Sequence, residues 1–227
     1  MNKRLQAIAE LVEPGIGLID VGTDHGYLPV FLAESGYPGA LYASDIGEGP
    51  LNAARRNAEK AFLSDQILFL HCDGLSLCPP EAVDTIVVAG MGGDTICGIL
   101  DRADWCLNPR YRLILQPMTR AEVLRFWLCN NGFSIDEERL VADSGTIYAL
   151  FCARYGEQQK LRDEELFAGV YNLIRKESLW PMFLREQSRR FEKMLAGLAR
   201  GEENTEKYRL LQQIYREWTE ELKQWQA

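Results

Sequence analysis

Between Asp20 and Gly26 the chain sets two carboxylates and two glycines in seven residues, Asp20-Val21-Gly22-Thr23-Asp24-His25-Gly26. Glycine lets backbone turn tightly and approach a ligand closely. Carboxylates attract a cation and repel a phosphate. A dinucleotide loop reads G-x-G-x-x-G, offering bare amides and a helix N-terminus to a pyrophosphate. Here Asp24 stands where the second glycine belongs, which disfavours NAD or FAD and an oxidoreductase reading. S-adenosylmethionine has an adenosine, a sulfonium and an α-ammonium but no phosphate, so paired acids suit it. Taken alone, the turn reads equally as a strand–helix connection that binds nothing, with Asp24 capping the next helix.

Further residues of the same chemistry recur at regular intervals. Asp45 lies 25 residues beyond Asp20, where an α/β nucleotide site holds ribose hydroxyls. Asp73-Gly74 could accept an adenine amine and admit its ring, although Asp-Gly is also an everyday turn pair. Ala89-Gly90-Met91-Gly92-Gly93 puts three glycines in four positions after an apolar run, implying close approach to the main chain. Nothing nearby pairs with His71 as a triad, so it reads as a packed or surface histidine.

These residues need strand ends to hold them. Leu18–Val21, Ala40–Ser44, Ile67–Leu70, Val83–Ala89 and Leu113–Leu115 read as strands. Helical patterns follow at Val30–Ser35, from Pro50, at Thr95–Leu100 and at Ala121–Asn130, with an amphipathic helix Leu5–Val12 ahead of them. Phe133–Val141 and Thr146–Ala153 form a hairpin. Five β–α units and a hairpin predict a Rossmann-like α/β sheet of seven strands, one antiparallel, over residues 1–156. Fold alone does not fix function.

Residues 157–227 read as helix only. Leu161–Ser178 carries Leu166, Phe167, Val170, Tyr171, Leu173 and Ile174 on one face. The stripes Leu184, Gln187, Phe191, Met194, Leu198 and Tyr208, Leu211, Tyr215, Trp218, Leu222, Trp225 have heptad spacing. They predict an all-α antiparallel helical hairpin, or coiled coil, with Gly201 ending one helix and Asn204 or Thr205 capping the next. Arg185, Arg189, Arg190, Lys193 and Arg200 face outward, as a solvated face or as a surface for an RNA backbone.

Composition bounds the alternatives. The 227 residues are 47% apolar and 26% charged, with net charge −8, which is ordinary for a soluble globular chain. Residues 156–227 hold 13 basic and 13 acidic side chains, so the first 155, with 12 and 20, carry the whole excess. No apolar run approaches the ~20 residues of a membrane span. The six cysteines lack C-x-x-C spacing, which points to reduced thiols, no metal site and a cytoplasmic protein.

Together the motifs Asp-Val-Gly-Thr-Asp-His-Gly-Tyr-Leu-Pro, Asp73-Gly74, Ala89-Gly90-Met91-Gly92-Gly93 and Gln116-Pro117, followed by a helical hairpin, resemble the bacterial tRNA (adenine-22 N1) methyltransferases, the TrmK family. The likeness runs from about Lys3 through Ala153 and more loosely beyond. It implies a class I methyltransferase fold and methylation of adenine N1 in tRNA. Thr23, Gly26 and Met118 stand where the family commonly has Ser, Ala and Asn. The chain also lacks the Asn/Asp-Pro-Pro-aromatic motif of many amino methyltransferases.

On this reading the cofactor is held by Asp20, Gly22, Thr23, Asp24, His25, Gly26, Tyr27, Leu28, Asp45, Ile46, Asp73, Gly74, Ala89, Gly90, Met91 and Gly92. Asp24 and Met91 are the catalytic candidates. Tyr27, Gly93, Gln116, Pro117, Arg185, Arg189, Arg190 and Lys193 are the tRNA-binding candidates. The competing reading is a non-catalytic adaptor that senses S-adenosylmethionine or binds RNA. Oligomeric state is not legible.

Overall fold

The computed structural model describes residues 2–157, 159–199 and 205–225. Helix α1 (Lys3–Ala9) leads into β1 (Gly17–Val21), α2 (Tyr27–Glu34), β2 (Ala40–Asp45), α3 (Glu48–Lys60) and β3 (Ile67–His71). Next come β4 (Thr85–Gly92), α4 (Gly93–Asp101), β5 (Arg112–Thr119), α5 (Ala121–Asn130), β6 (Phe133–Asp143) and β7 (Thr146–Tyr155). Helices α6 (Asp163–Ala168), α7 (Val170–Arg175), α8 (Trp180–Leu198) and α9 (Glu206–Gln224) complete the described chain.

The strands form one sheet in the order β3-β2-β1-β4-β5-β7-β6. β7 runs antiparallel to both neighbours and the other pairings are parallel. All five β1 residues are buried, as a central strand covered on both faces requires. Alternate residues serve opposite layers. Ile19, Val21, Ile86 and Val88 pack with Ile96, Leu100, Leu124 and Leu128 of α4 and α5. Leu18, Val87 and Ile114 pack with Ile8, Leu28 and Ala58 on the other side. Chain order reverses between β1 and β4, which opens a crevice at their carboxyl ends.

The hairpin between β6 and β7 turns on Ser144-Gly145, whose positive φ values of 52° and 82° match the twist of the strands. The expected five β–α units become four. Between β3 and β4 the described chain forms only a short 3-10 turn at Pro80–Ala82, because Pro79-Pro80 cannot propagate a helix and Leu75 and Cys78 fill the space against the core.

The single helix expected over 161–178 is two. Gly169, at φ 83° and ψ 141°, separates α6 from α7, and a Cβ there would lie 2.2 Å from Glu138 Oε2. Arg125 and Glu138, both fully buried, pair at 2.7 Å. Arg125 Nη1 also donates to the Leu166 carbonyl at 2.8 Å, and the Tyr171 N–H donates to Glu138 Oε2 at 3.3 Å. A buried ion pair thus breaks the helix and ties it to the sheet.

Trp180, Phe183, Leu184, Phe191, Leu211, Ile214 and Trp218 form a third core with Ile147 of β7. Trp180 Nε1 donates to Glu221 at 2.7 Å and the Tyr215 hydroxyl to Glu192 at 2.9 Å, so α8 and α9 are antiparallel. Trp218 meets Phe191 edge-on at 5.2 Å, which makes the aromatic stripe a packing seam. Thr205 caps α9 by accepting from the Tyr208 N–H; Arg200, Gly201 and Asn204 lie outside the described residues. No helix among the described residues is long and apolar enough to cross a membrane.

Candidate active site

The turn after β1 alternates its backbone sign. Gly22, Asp24 and Gly26 have φ of 70°, 53° and 67°. Asp24 bears this as a non-glycine residue, a conformation its short polar side chain tolerates better than most. The turn is pinned at both ends. The Gly22 and Thr23 N–H groups donate to the Ser44 carbonyl at 2.8 and 2.9 Å, and the Gly26 N–H to the Thr23 carbonyl at 2.9 Å. The Asp24 N–H donates to Asp45 Oδ2 at 3.2 Å, and Asp45 Oδ1 accepts from the Gly47 N–H at 2.8 Å. Asp45 therefore joins the first two crossover loops.

Asp20 is only 6% exposed. Burial pushes its carboxyl up to about 6, the Thr23 hydroxyl donating at 2.6 Å lowers it, and nearby Asp45 raises it. Such an acid gains most from a cation placed beside it.

The end of β4 is bulged. Its ladder with β5 pairs Ala89 with Gln116 and Met91 with Pro117, and skips Gly90. The freed Gly90 N–H, at φ 79°, donates to Gln116 Oε1 at 3.1 Å. Gln116 is fully buried, and its amide nitrogen donates to the Pro117 carbonyl at 2.9 Å. The bulge re-aims Met91. A Cβ on Gly22 would lie 2.0 Å from the Met91 methyl, so that thioether covers the bare glycine.

These loops enclose a cavity of about 620 Å³, within the ~300–1,000 Å³ of small-molecule sites. Of the expected cofactor residues, Asp20, Gly22, Thr23, Asp24, Tyr27, Leu28, Asp45, Ile46, Asp73, Gly74, Ala89, Gly90 and Met91 line it. Its lining has four carboxylates and only two guanidiniums, Arg4 and Arg102, and Arg102 is paired with Asp73 at 3.0 Å. That donor set fits a cationic nucleoside better than a phosphate.

Three expected cofactor residues fall outside the lining. His25 stacks on Tyr27 at 5.4 Å, and its carbonyl accepts from Asn57. Gly26 packs against Ala54, and Gly92 lies near Thr119. His71 Nε2 sits 3.1 Å from the Ile46 carbonyl, which makes it the donor and the histidine structural.

The substrate candidates scatter. A Cβ on Gly93 would lie 2.3 Å from the Arg120 carbonyl, so this glycine lets α4 pack closely against the following loop. Gln116 acts through Gly90. Pro117 lines a second cavity. Arg190 is held by both carboxylate oxygens of Glu122, which neutralises its charge. Arg185, Arg189 and Lys193 lie exposed on α8.

Asn2, Arg4 and Leu5 of the N-terminal segment and Thr95, Ile99 and Arg102 of the α4 region also line the cavity, although no local motif marks them as ligand-facing. The amphipathic pattern at Leu5 marked a packed helix but not the ligand side of it.

Residues 1–151 match the family model described as a methyltransferase domain. The chain is 33% identical over 163 residues to the tRNA (adenine(22)-N(1))-methyltransferase of Bacillus subtilis, covering 72% of this chain and 68% of that one. A Streptococcus pneumoniae protein assigned as a tRNA (m1A22) methyltransferase, solved with S-adenosyl-L-methionine, superposes with TM-score 0.84 and 29% identity, covering 98% of this chain and 99% of the other. TrmK of M. capricolum, solved with S-adenosyl-homocysteine, gives TM-score 0.80 and 25% identity, with 98% of each chain covered. With its glycine turn, paired acids and bulged β4 on this seven-stranded sheet, the chain belongs to the tRNA (adenine(22)-N(1))-methyltransferase family of methyltransferase-domain proteins.

Proposed function

We propose that this chain transfers a methyl group from S-adenosylmethionine to N1 of an adenine in tRNA, at position 22. The observation that carries the reading is the cavity in which buried Asp20, Asp45 and the bulged Gly90-Met91 face the Gly22–Gly26 turn. The cofactor supplies an electrophilic methyl group. Asp20 and Asp24 offer it negative charge, Asp45 offers carboxylate oxygens for ribose hydroxyls, and Gly74 brings bare backbone to the cavity wall beside Ile99.

The target nitrogen has its own lone pair, so no protein base need remove a proton first. The chain's task is alignment and exclusion of water. Methylation leaves the adenine cationic, and Asp24 with the carbonyls of Gly90–Gly92 stabilises that growing charge. Met91 and exposed Tyr27 wall the base, which must leave its stack to be reached.

Residues 1–156 form the catalytic domain and 157–227 a helical domain that presents Arg185, Arg189 and Lys193 to the RNA backbone. The chain works in the cytoplasm, where its substrate is processed. Incubation with S-adenosylmethionine and unmodified tRNA tests this against the adaptor reading. RNA-dependent formation of S-adenosylhomocysteine supports the enzyme; cofactor binding with no turnover supports the adaptor.

A further inference from the structure

Beside the donor cavity lies another, of about 290 Å³, walled by the ends of β5 and β7 on one side and α8 on the other. Tyr148, Phe167 and Phe183 supply ring surface to it, and Gln187 supplies an amide. The Gln187 Oε1 atom is buried without a hydrogen-bond partner, which is costly unless something fills the site.

Arg4 separates the two cavities. It lines the first. Its Nη1 lies 3.1 Å from Gln116 Oε1 and against the Met118 sulfur, and its guanidinium sits 5.4 Å over the Tyr148 ring. Met118 and Tyr148 both belong to the wall of the second cavity. Among the described residues no carboxylate pairs with Arg4, and its Nε is buried without a partner. An amide oxygen already shared with the Gly90 N–H and a thioether are poor company for a cation that prefers an anion.

We propose that the second cavity holds a nucleotide neighbouring the target adenosine, with the intervening phosphodiester on Arg4. The inference rests on the RNA reading above. An unstacked nucleotide is recognised by aromatic surface and by hydrogen bonds to its edge. Extruding the target base loosens its neighbours, so a seat for one of them offsets part of the unstacking cost. Arg185 and Arg189, exposed on α8, flank the cavity's Glu186, Gln187 and Arg190 in sequence and continue a track for the backbone. Met118 lines the second cavity and touches Arg4.

The test uses the full chain and tRNA transcripts carrying a single abasic site on either side of the methylated adenosine. In the unsubstituted protein one abasic transcript raises KM for tRNA about 10-fold, the scale of one stacked base. The same transcript has little further effect on Gln187→Leu, because both changes empty one seat. Arg4→Ala lowers the slope of log KM against log salt by about 0.7–0.9, one phosphate contact, and Arg4→Lys restores most of it. Retained S-adenosylmethionine binding shows that Gln187→Leu is folded.

Unchanged KM on both abasic transcripts, or effects that multiply independently with Gln187→Leu, overturns the nucleotide seat. An unchanged salt slope in Arg4→Ala overturns the phosphate contact. No methyl transfer to any tRNA by the unsubstituted protein fells the RNA reading and this inference together.

Discussion

The Gln116 side chain accepts the Gly90 N–H at 3.1 Å, replacing the ladder bond that the β4 bulge removes. Two motifs 26 residues apart thereby form one device, with the buried amide holding the glycine whose bend aims Met91. Gln116→Leu leaves that N–H unpaired and frees the bulge. Turnover should fall ~100-fold, the usual cost of a small misplacement of reacting groups. Single-turnover methylation assays read this, and a rate within 2-fold of the parent would contradict the positioning role.

Gly22 and Met91 are coupled by contact. Gly22→Ala places a Cβ 2.0 Å from the Met91 methyl at φ 70°, so the flexible thioether must swing out of its place and the backbone takes on about 1 kcal/mol of left-handed strain. S-adenosylmethionine affinity should drop about 10-fold or more. Adding Met91→Ala relieves the clash and restores part of the affinity. Calorimetric titration of the four proteins measures the coupling, and strictly additive losses would refute it.

Asp20 predicts opposite pH trends for binding and stability. Its carboxyl, raised by burial to about 6 against an ordinary 3.8, binds its proton more tightly folded than unfolded. Its contribution to stability is therefore fully present below pH ~4 and fades as pH rises through about 6, by about 3 kcal/mol. A cation beside it favours the ionised form, so cofactor affinity should rise with pH up to about 6 and level off above. Asp20→Asn should raise the Tm of the cofactor-free protein at pH 7.5, weaken binding and flatten its pH profile. Thermal melts and titrations from pH 5 to 8 check all three.

The sheet and the glycine turn were legible because their signals are local. The apolar run Leu18–Val21 ends at a glycine, and Ser-Gly closes the hairpin. Asp45 could be named from spacing alone because a second strand beside the first must end near it. Arg4 carried no such signal, because only the tertiary packing of α1 brings it to the cavity. The break at Gly169 was hidden for a similar reason. The 3.6-residue periodicity of 161–178 continues across it, and the competing force is a carboxylate on β6, 31 residues away. Arg190 kept its outward spacing but met Glu122 of α5.

The Arg125–Glu138 pair should be a stability hub. Removing one partner strands the other charge in a dry core, at about 3–5 kcal/mol. Arg125→Met should therefore destabilise severely, while Arg125→Met with Glu138→Leu should recover much of the loss. Urea unfolding compares them, and equal midpoints for the single and double variants would show that the stranded charge is not the cause.

The acid-lined turn cavity is proposed to deliver a methyl group to adenine N1. Its most direct test is methylation of unmodified tRNA with S-adenosylmethionine, followed by nucleoside mass spectrometry and mapping of the reverse-transcription stop, with Asp45→Ala in parallel. The expected product is 1-methyladenosine at position 22, lost in the variant. A methyl group on another atom or position, or full activity in Asp45→Ala, would contradict it.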